Sequence, residues 1–413
     1  MATATVTGEI GSKWRGHTMA HHLFLTVPFL LAGTMFGSDD VTLGMHRFAA
    51  AAYRQLAENN GGDLILSPFS ISTALSMLLD GARGQTAAGI AATLDQPHPG
   101  PGYHAAVASL AAEIAKQANL EGNQLAIANG LWVQQGFPIR SEFETTIRTI
   151  YGAPLTPLDF HAHAEQARQA INSWTAQHTK DRILELFAPG SIKDATRLVL
   201  TSAIYFYGKW RLPFDPKRTS PEPFQLGGGR TVDAKFMHQK ADFLYGETPS
   251  AQILELRYQG TPLAFDILLP KTNDGLADLE RSIQPDDLSA WFGALRSRKV
   301  ETAIPKFRAE SSFSLRDMLS RMGMATAFGR TADFSGIDGG RDLFAGDVVH
   351  KAFVEVSEEG TEAAAATGIA VHALAMRREE QTVFRADHPF AFFIRDTTSG
   401  VILFEGRLMA PKS

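Results

Sequence analysis

Residues 355–376 read Glu-Val-Ser-Glu-Glu-Gly-Thr-Glu-Ala-Ala-Ala-Ala-Thr-Gly-Ile-Ala-Val-His-Ala-Leu-Ala-Met, and this segment constrains the fold more than any other. Every second residue from Thr361 (Ala363, Ala365, Thr367, Ile369, Val371, Ala373) carries nothing ionisable. The interleaved set is Glu362, Ala364, Ala366, Gly368, Ala370, His372 and Leu374. Strand side chains alternate between faces, so a strand here could bury the first set and leave the second outside. Alanine is also the best helix former, whereas Gly368 and the β-branched Thr367, Ile369 and Val371 weaken a helix. Pattern alone leaves strand, helix and loop open. The charged run Arg377-Arg378-Glu379-Glu380 follows at once and argues for an exposed loop. A segment that reads as exposed yet is suited to burial points to a moving part.

The 413 residues could form one large domain or two to three ordinary ones. Hydrophobic content of 44% and charged content of 20% are those of a folded soluble protein. A net charge of −5, with no Lys/Arg run longer than two residues, offers no footprint for nucleic acid. There are no cysteines, which excludes disulfides, thiol catalysis and thiolate metal sites. Residues 1–38 stand apart as a leader: Lys13 and Arg15 precede the apolar run 23–36, which is short for a membrane span and fits a signal-peptide core. Export to the periplasm or medium is the expectation, with a disordered leader and a cytoplasmic protein as the alternative. No membrane association is expected of the mature chain.

Helical spacing predicts helices over 43–58, 70–80, 103–118, 140–151, 164–180 and 313–323. Ser67 and Pro68 suit the start of the second. Strands are expected over 125–135 and 197–207, several more within 230–270, and again over 382–409. Helices dominate the first half and strands the second without a linker or repeat between, so one α+β domain over 39–413 is favoured.

Several segments then resemble one family, the serpins. Ser67-Pro68-Phe69-Ser70-Ile71 with Gly81-Ala82-Arg83-Gly84-Gln85-Thr86 is similar to the serpins' second-helix signature. Ile171-Asn172-Ser173-Trp174, Ala203-Ile204-Tyr205-Phe206 with Gly208-Lys209-Trp210, and Pro305-Lys306-Phe307 match further, in order. His350-Lys351-Ala352 through Glu362-Ala363-Ala364 resembles the hinge, and Asp387-His388-Pro389-Phe390 and Ile402-Leu403-Phe404-Glu405-Gly406-Arg407 the closing strands. The resemblance spans roughly residues 40–411. It implies an α+β serpin fold with three β-sheets, eight to nine helices and a reactive-centre loop over about 358–385.

It also implies a function: suicide inhibition of a serine protease, in which the cleaved loop enters the main sheet and traps the acyl-enzyme. The chain would then be no enzyme, need no cofactor or metal, and act as a monomer whose partner is the target protease. The hinge is Glu358, Glu359, Gly360, Thr361, Glu362, Ala363, Ala364, Ala365 and Ala366. The family's spacing places the reactive bond at Leu374-Ala375, suiting chymotrypsin-like or elastase-like targets. Counting back from Pro389 also allows Met376, Arg377 or Arg378, and either arginine would suit trypsin-like enzymes. Ser67, Ser70, Ser202, Trp210 and His350 are implied as control residues at the sheet-opening point, or, more plainly, as helix-start serines, a core ring and a satisfied buried histidine. Ser202 and Asp63 stand where asparagines are usual, so hydrogen bonding there is expected to differ. A non-inhibitory carrier or chaperone-like serpin is the alternative. A hydrolase lacks its Gly-x-Ser-x-Gly elbow. His161-Ala-His163 and His21-His22 lack a His-Glu-x-x-His arrangement, so a solvated face is expected over a metal site.

Overall fold

The computed structural model describes residues 38–96, 100–361 and 382–412, all within one compact unit. The possible leader therefore lies outside the described residues. Fifteen strands are present among them: β1 (Leu64–Leu66), β2 (Gln124–Gln134), β3 (Leu155–Leu158), β4 (Leu198–Lys209), β5 (Ser220–Gly227), β6 (Arg230–Glu247), β7 (Ala251–Arg257), β8 (Leu263–Pro270), β9 (Arg296–Pro305), β10 (Phe307–Ser314), β11 (Ala345–Val356), β12 (Gly360–Thr361), β13 (Thr382–Arg385), β14 (Phe390–Asp396) and β15 (Ile402–Leu408). The first six helices are α1 (Ser38–Glu58), α2 (Pro68–Gly81), α3 (Gly84–Thr93), α4 (Pro101–Ala118), α5 (Ser141–Thr145) and α6 (Phe160–His178).

The main sheet has six strands in the order β10-β11-β12-β4-β2-β3. Period-two alternation sorts its side chains. Along β4, Leu198, Leu200, Ile204 and Phe206 join the large central core with Leu75 and Leu78 of α2. Val199 and Ala203 point the other way, onto Ile171 of α6 and Ile183, Phe187 and Ile192 of the segment after it. At β4 the main sheet is thus covered on both faces, so this strand reads as a nearly continuous apolar run, whereas β10 alternates buried and exposed residues.

The other nine strands form one hydrogen-bonded sheet where the resemblance implied two. The reason is β6, whose 18 residues run past both parts. Its first half pairs with β5, its last residues with β7, and β9 accompanies its middle from Phe236 to Tyr245. One long strand hydrogen-bonds the two sheets into one.

Helix ends shift locally from the expectations. The helix expected at 313–323 begins only at Arg316, because Phe313 and Ser314 extend β10 in register with His350 and Val349. Ladder pairing overrides local propensity there. The helix expected at 140–151 widens after Thr145 into a π-turn over Thr146–Ile150. Helix α3 was not anticipated, since its ten residues are rich in Gly, Ala and Thr and carry little apolar periodicity.

Candidate functional site: the seam and mouth of the main sheet

Strands β4 and β11 pair directly in parallel, with Ser202 opposite His350, and polar side chains from two further elements meet them there. Pro68 opens α2 with its φ already fixed, and Ser67 Oγ accepts the Ser70 amide at 3.1 Å. The Ser67 amide donates to His350 Nε2 at 2.9 Å, so the proton of this neutral ring sits on Nδ1. Nδ1–H lies 2.9 Å from the Ser202 carbonyl oxygen and 3.0 Å from its hydroxyl. Ser202 Oγ is 3.0 Å from Ser70 Oγ, which donates to Asn129 Oδ1 at 2.9 Å. Asn129 Nδ2 returns a bond to the Ser70 carbonyl at 2.9 Å. Burial pushes the His350 pKa down to about 3, against the bond to the Ser202 carbonyl. The result is a directional relay across the seam, with Ser67, Ser70, Ser202 and His350 fully buried.

Above Tyr205 and Phe353 the direct pairing of β4 with β11 ends, and β12 fills the gap. Thr361 lies opposite Val356 on one side and Gly208 on the other, and Gly360 lies opposite Lys209. A Cβ on Gly360 would strike the Gly208 carbonyl oxygen, so this close approach needs glycine. Trp210 holds the turn that leads in: its amide donates to the Glu359 carbonyl at 2.8 Å and its indole Nε1 to the Ser357 carbonyl at 2.9 Å. Its ring stacks on Tyr258 at 4.7 Å between centroids. Glu358 pairs with Lys306 at 2.7 Å and accepts the Thr219 hydroxyl at 2.9 Å. Burial opposes ionisation of Glu358, yet Lys306 and Thr219 prevail and hold its carboxyl below the usual range. At the opposite end of the seam lies a cavity of about 290 Å³ lined by Phe187, Ile192, Val199, Phe344 and Gly346 among others.

The structure therefore brings Ser67, Ser70, Ser202 and His350 together and places Trp210 with Glu358, Glu359, Gly360 and Thr361 at the mouth. Glu362, Ala363, Ala364, Ala365, Ala366, Leu374, Ala375, Met376, Arg377 and Arg378 lie outside the described residues. Asp63 does not join the seam; its carboxylate accepts the Met409 and Ala410 amides at 2.7 and 3.1 Å. Sequence reasoning missed Asn129, Tyr258 and the Lys306 partner of Glu358. Asn129 left a signal, as a polar residue in the apolar run Ile127-Ala128-Asn129-Gly130-Leu131. Among the described residues no group of three or more His, Asp or Glu side chains could hold a metal ion. No helix among them is long and apolar enough to cross a membrane.

Comparison with known proteins points one way. The family profile described as Serpin (serine protease inhibitor) matches residues 44–411. The leukocyte elastase inhibitor of Sus scrofa is 42% identical over 375 residues, covering 88% of this chain and 98% of the relative. Among solved structures, Serpin48 of the insect Tenebrio molitor, described as a highly specific serpin, superposes with a TM-score of 0.82 at 32% identity and covers 90% of this chain and 98% of its own. Human thyroxine-binding globulin complexed with thyroxine superposes with a TM-score of 0.82 at 26% identity, covering 91% of this chain and 100% of its own. With Gly360 and Thr361 seated between β4 and β11, and with the family profile matching residues 44–411, the chain belongs to the serpin family.

Proposed function

We propose that this chain is a suicide-substrate inhibitor of chymotrypsin-like or elastase-like serine proteases. The observation that carries the reading is the seated hinge. Gly360 and Thr361 already pair with both strands that an incoming arm must join. Stepping on from Thr361 by pairs along both neighbours brings residue 367 opposite Ser202 and His350 at once, because those two already face each other. The two registers agree, so the arm can extend without slipping. Its uncharged set then meets the face of Ile204, Phe206, Ala352 and Val354, which belongs to the core. Thr367 would arrive with a hydroxyl where His350 Nδ1–H meets Ser202, replacing one hydrogen bond by others. On this reading the relay keeps β4 and β11 together until the arm displaces it.

The same register sets residue 371 opposite Leu198, the first residue of β4, near the far cavity. A cut at Leu374-Ala375 would therefore free an arm that just fills the slot. The target's serine Oγ attacks the Leu374 carbonyl carbon, the bond to the Ala375 nitrogen breaks, and that amine leaves with a proton from the target's general acid. The catalytic groups belong to the protease, and this chain supplies the acyl group and the strand. Insertion must outrun deacylation, for which ordinary turnover of about 1–10³ s⁻¹ sets the pace. The elastase-inhibitor names of the relatives support an apolar residue at the cut.

Incubation with chymotrypsin or pancreatic elastase should give a covalent band that survives denaturation, together with a released fragment beginning at Ala375. A fragment beginning at Arg378 or Glu379 would move the reactive bond to the arginines. Complete cleavage without a covalent band would overturn inhibition and leave the carrier reading, to which the likeness to thyroxine-binding globulin lends weight.

A further inference from the structure

We infer that Tyr258 is a positioning residue for inhibition: its phenol latches Thr361 in the mouth of the main sheet before cleavage, so that insertion starts from a seated strand. The inference rests on the inhibitor reading above. The Tyr258 hydroxyl and Thr361 Oγ1 lie 2.6 Å apart, with Tyr258 at 1% and Thr361 at 0% exposure. Water is excluded from this bond, so breaking it leaves two buried hydroxyls to find new partners. Burial raises the phenol's pKa, keeping its proton available for the bond.

The ring that carries this hydroxyl is held on three sides. It stacks on Trp210 at 4.7 Å and 20°, meets Phe206 edge-on at 4.8 Å, and crowds Gly208, where a Cβ would touch it. Trp210 and Tyr258 also form an isolated β-bridge. Phe206 and Gly208 belong to β4, and Trp210 bonds the Ser357 and Glu359 carbonyls. The phenol is therefore rigid relative to both the receiving strand and the turn that delivers the hinge. Thr361 can withdraw only by giving up this bond together with its ladder pairing. In the extended register Thr361 keeps the same neighbours, Gly208 and Val356, so the latch need not break when the rest of the arm enters. It favours starting insertion without opposing its completion.

The test compares wild type with Tyr258→Phe, Thr361→Val and the double variant. All three keep the packing and remove only hydroxyls. With chymotrypsin, each variant should show insertion slowed roughly 2- to 10-fold, the range one neutral hydrogen bond supplies, and a stoichiometry of inhibition raised accordingly. The association rate constant should stay within about twofold, since the latch acts after encounter. The double variant should match the single ones, because both remove the same bond. Amide hydrogen exchange of the intact protein supplies a readout independent of inhibition: the peptide ending at Thr361 should lose protection in every variant. Unchanged stoichiometry with unchanged protection, or effects that add in the double variant, would overturn the latch. If wild type itself forms no covalent complex, the inhibitor reading fails, and the exchange result still decides whether the phenol holds the hinge.

Discussion

The seam between β4 and β11 and the β8-β14-β15 part of the nine-stranded sheet are both buried, but the second is dominated by packed rings around the buried Arg395–Asp266 pair. In the latter, Phe390, Phe392, Ile394, Leu403 and Phe404 interlock with Phe265 and Ile267, and the Phe265 and Phe392 rings stack at 5.5 Å. At the seam, two serines, a histidine, an asparagine and an N-cap exchange hydrogen bonds. Packed rings gain from close contact with particular neighbours and lose it when anything moves. A hydrogen bond traded for another of similar quality costs little. A polar seam can therefore admit a new strand that brings its own donors and acceptors, while the aromatic sheet stays closed. The difference teaches where the proposed insertion meets the least resistance.

The sharpest way to break this comparison is to deny the arm its passage. Thr361→Arg places a charge where the native side chain is wholly buried beside Tyr258, at a cost of several kcal/mol. Inhibition should collapse into substrate turnover, read as loss of the denaturation-resistant band; a stable complex at wild-type stoichiometry would refute insertion along this register. Next in size, Phe392→Ala should lower global stability by about 3–5 kcal/mol in denaturant melts, while leaving the partition between inhibition and cleavage alone. A large change in that partition would show that the two regions are not separate.

Acid should loosen the seam by a smaller amount per pH unit. His350 is neutral in the fold, its pKa lowered from 6.5 to about 3 by burial. The unfolded chain takes up this proton as pH falls below 6.5, and the folded chain does so only near 3. Stability from this site therefore falls by roughly 1.4 kcal/mol per pH unit across that window. Burial raises the Asp266 and Glu405 pKa values, so those groups add stability as pH falls through their folded pKa. The slope must accordingly be read as the difference between wild type and His350→Asn, and equal slopes would remove His350 from the account. Smallest of all, Glu358→Gln should free Lys306 and cost about 1 kcal/mol, seen as a slightly lower melting temperature.

Much of this was legible in the chain. Alternation from Thr361 onward separates an uncharged set from one holding Glu362 and His372, and Thr361, the first of the uncharged set, is buried in the sheet. Ser67 and Pro68 announce the start of α2, and the apolar run from Leu198 announces a strand covered on both faces. Asn129, Tyr258 and the pairing of Lys306 with Glu358 escape the sequence, because nothing near them in the chain marks their partners. Thr361 lies 103 residues from Tyr258, and His350 lies 283 from Ser67. Nor could the strand patterns reveal that β6 joins two sheets, since each half alone pairs in an ordinary way.

Composition, periodicity and caps thus determined most of the segments that become helices and strands and which side of the arm can face a core, while the motifs carried the family resemblance. These are properties of neighbouring residues, set by backbone sterics and side-chain alternation. Tertiary structure alone decided that Gly360 and Thr361 lie between β4 and β11, that a tyrosine hydroxyl meets Thr361 there, and that the seam is polar where the adjoining sheet is rich in packed rings. Hydrogen bonds are directional and short, so their partners exist only once distant elements have been placed to within a fraction of an ångström.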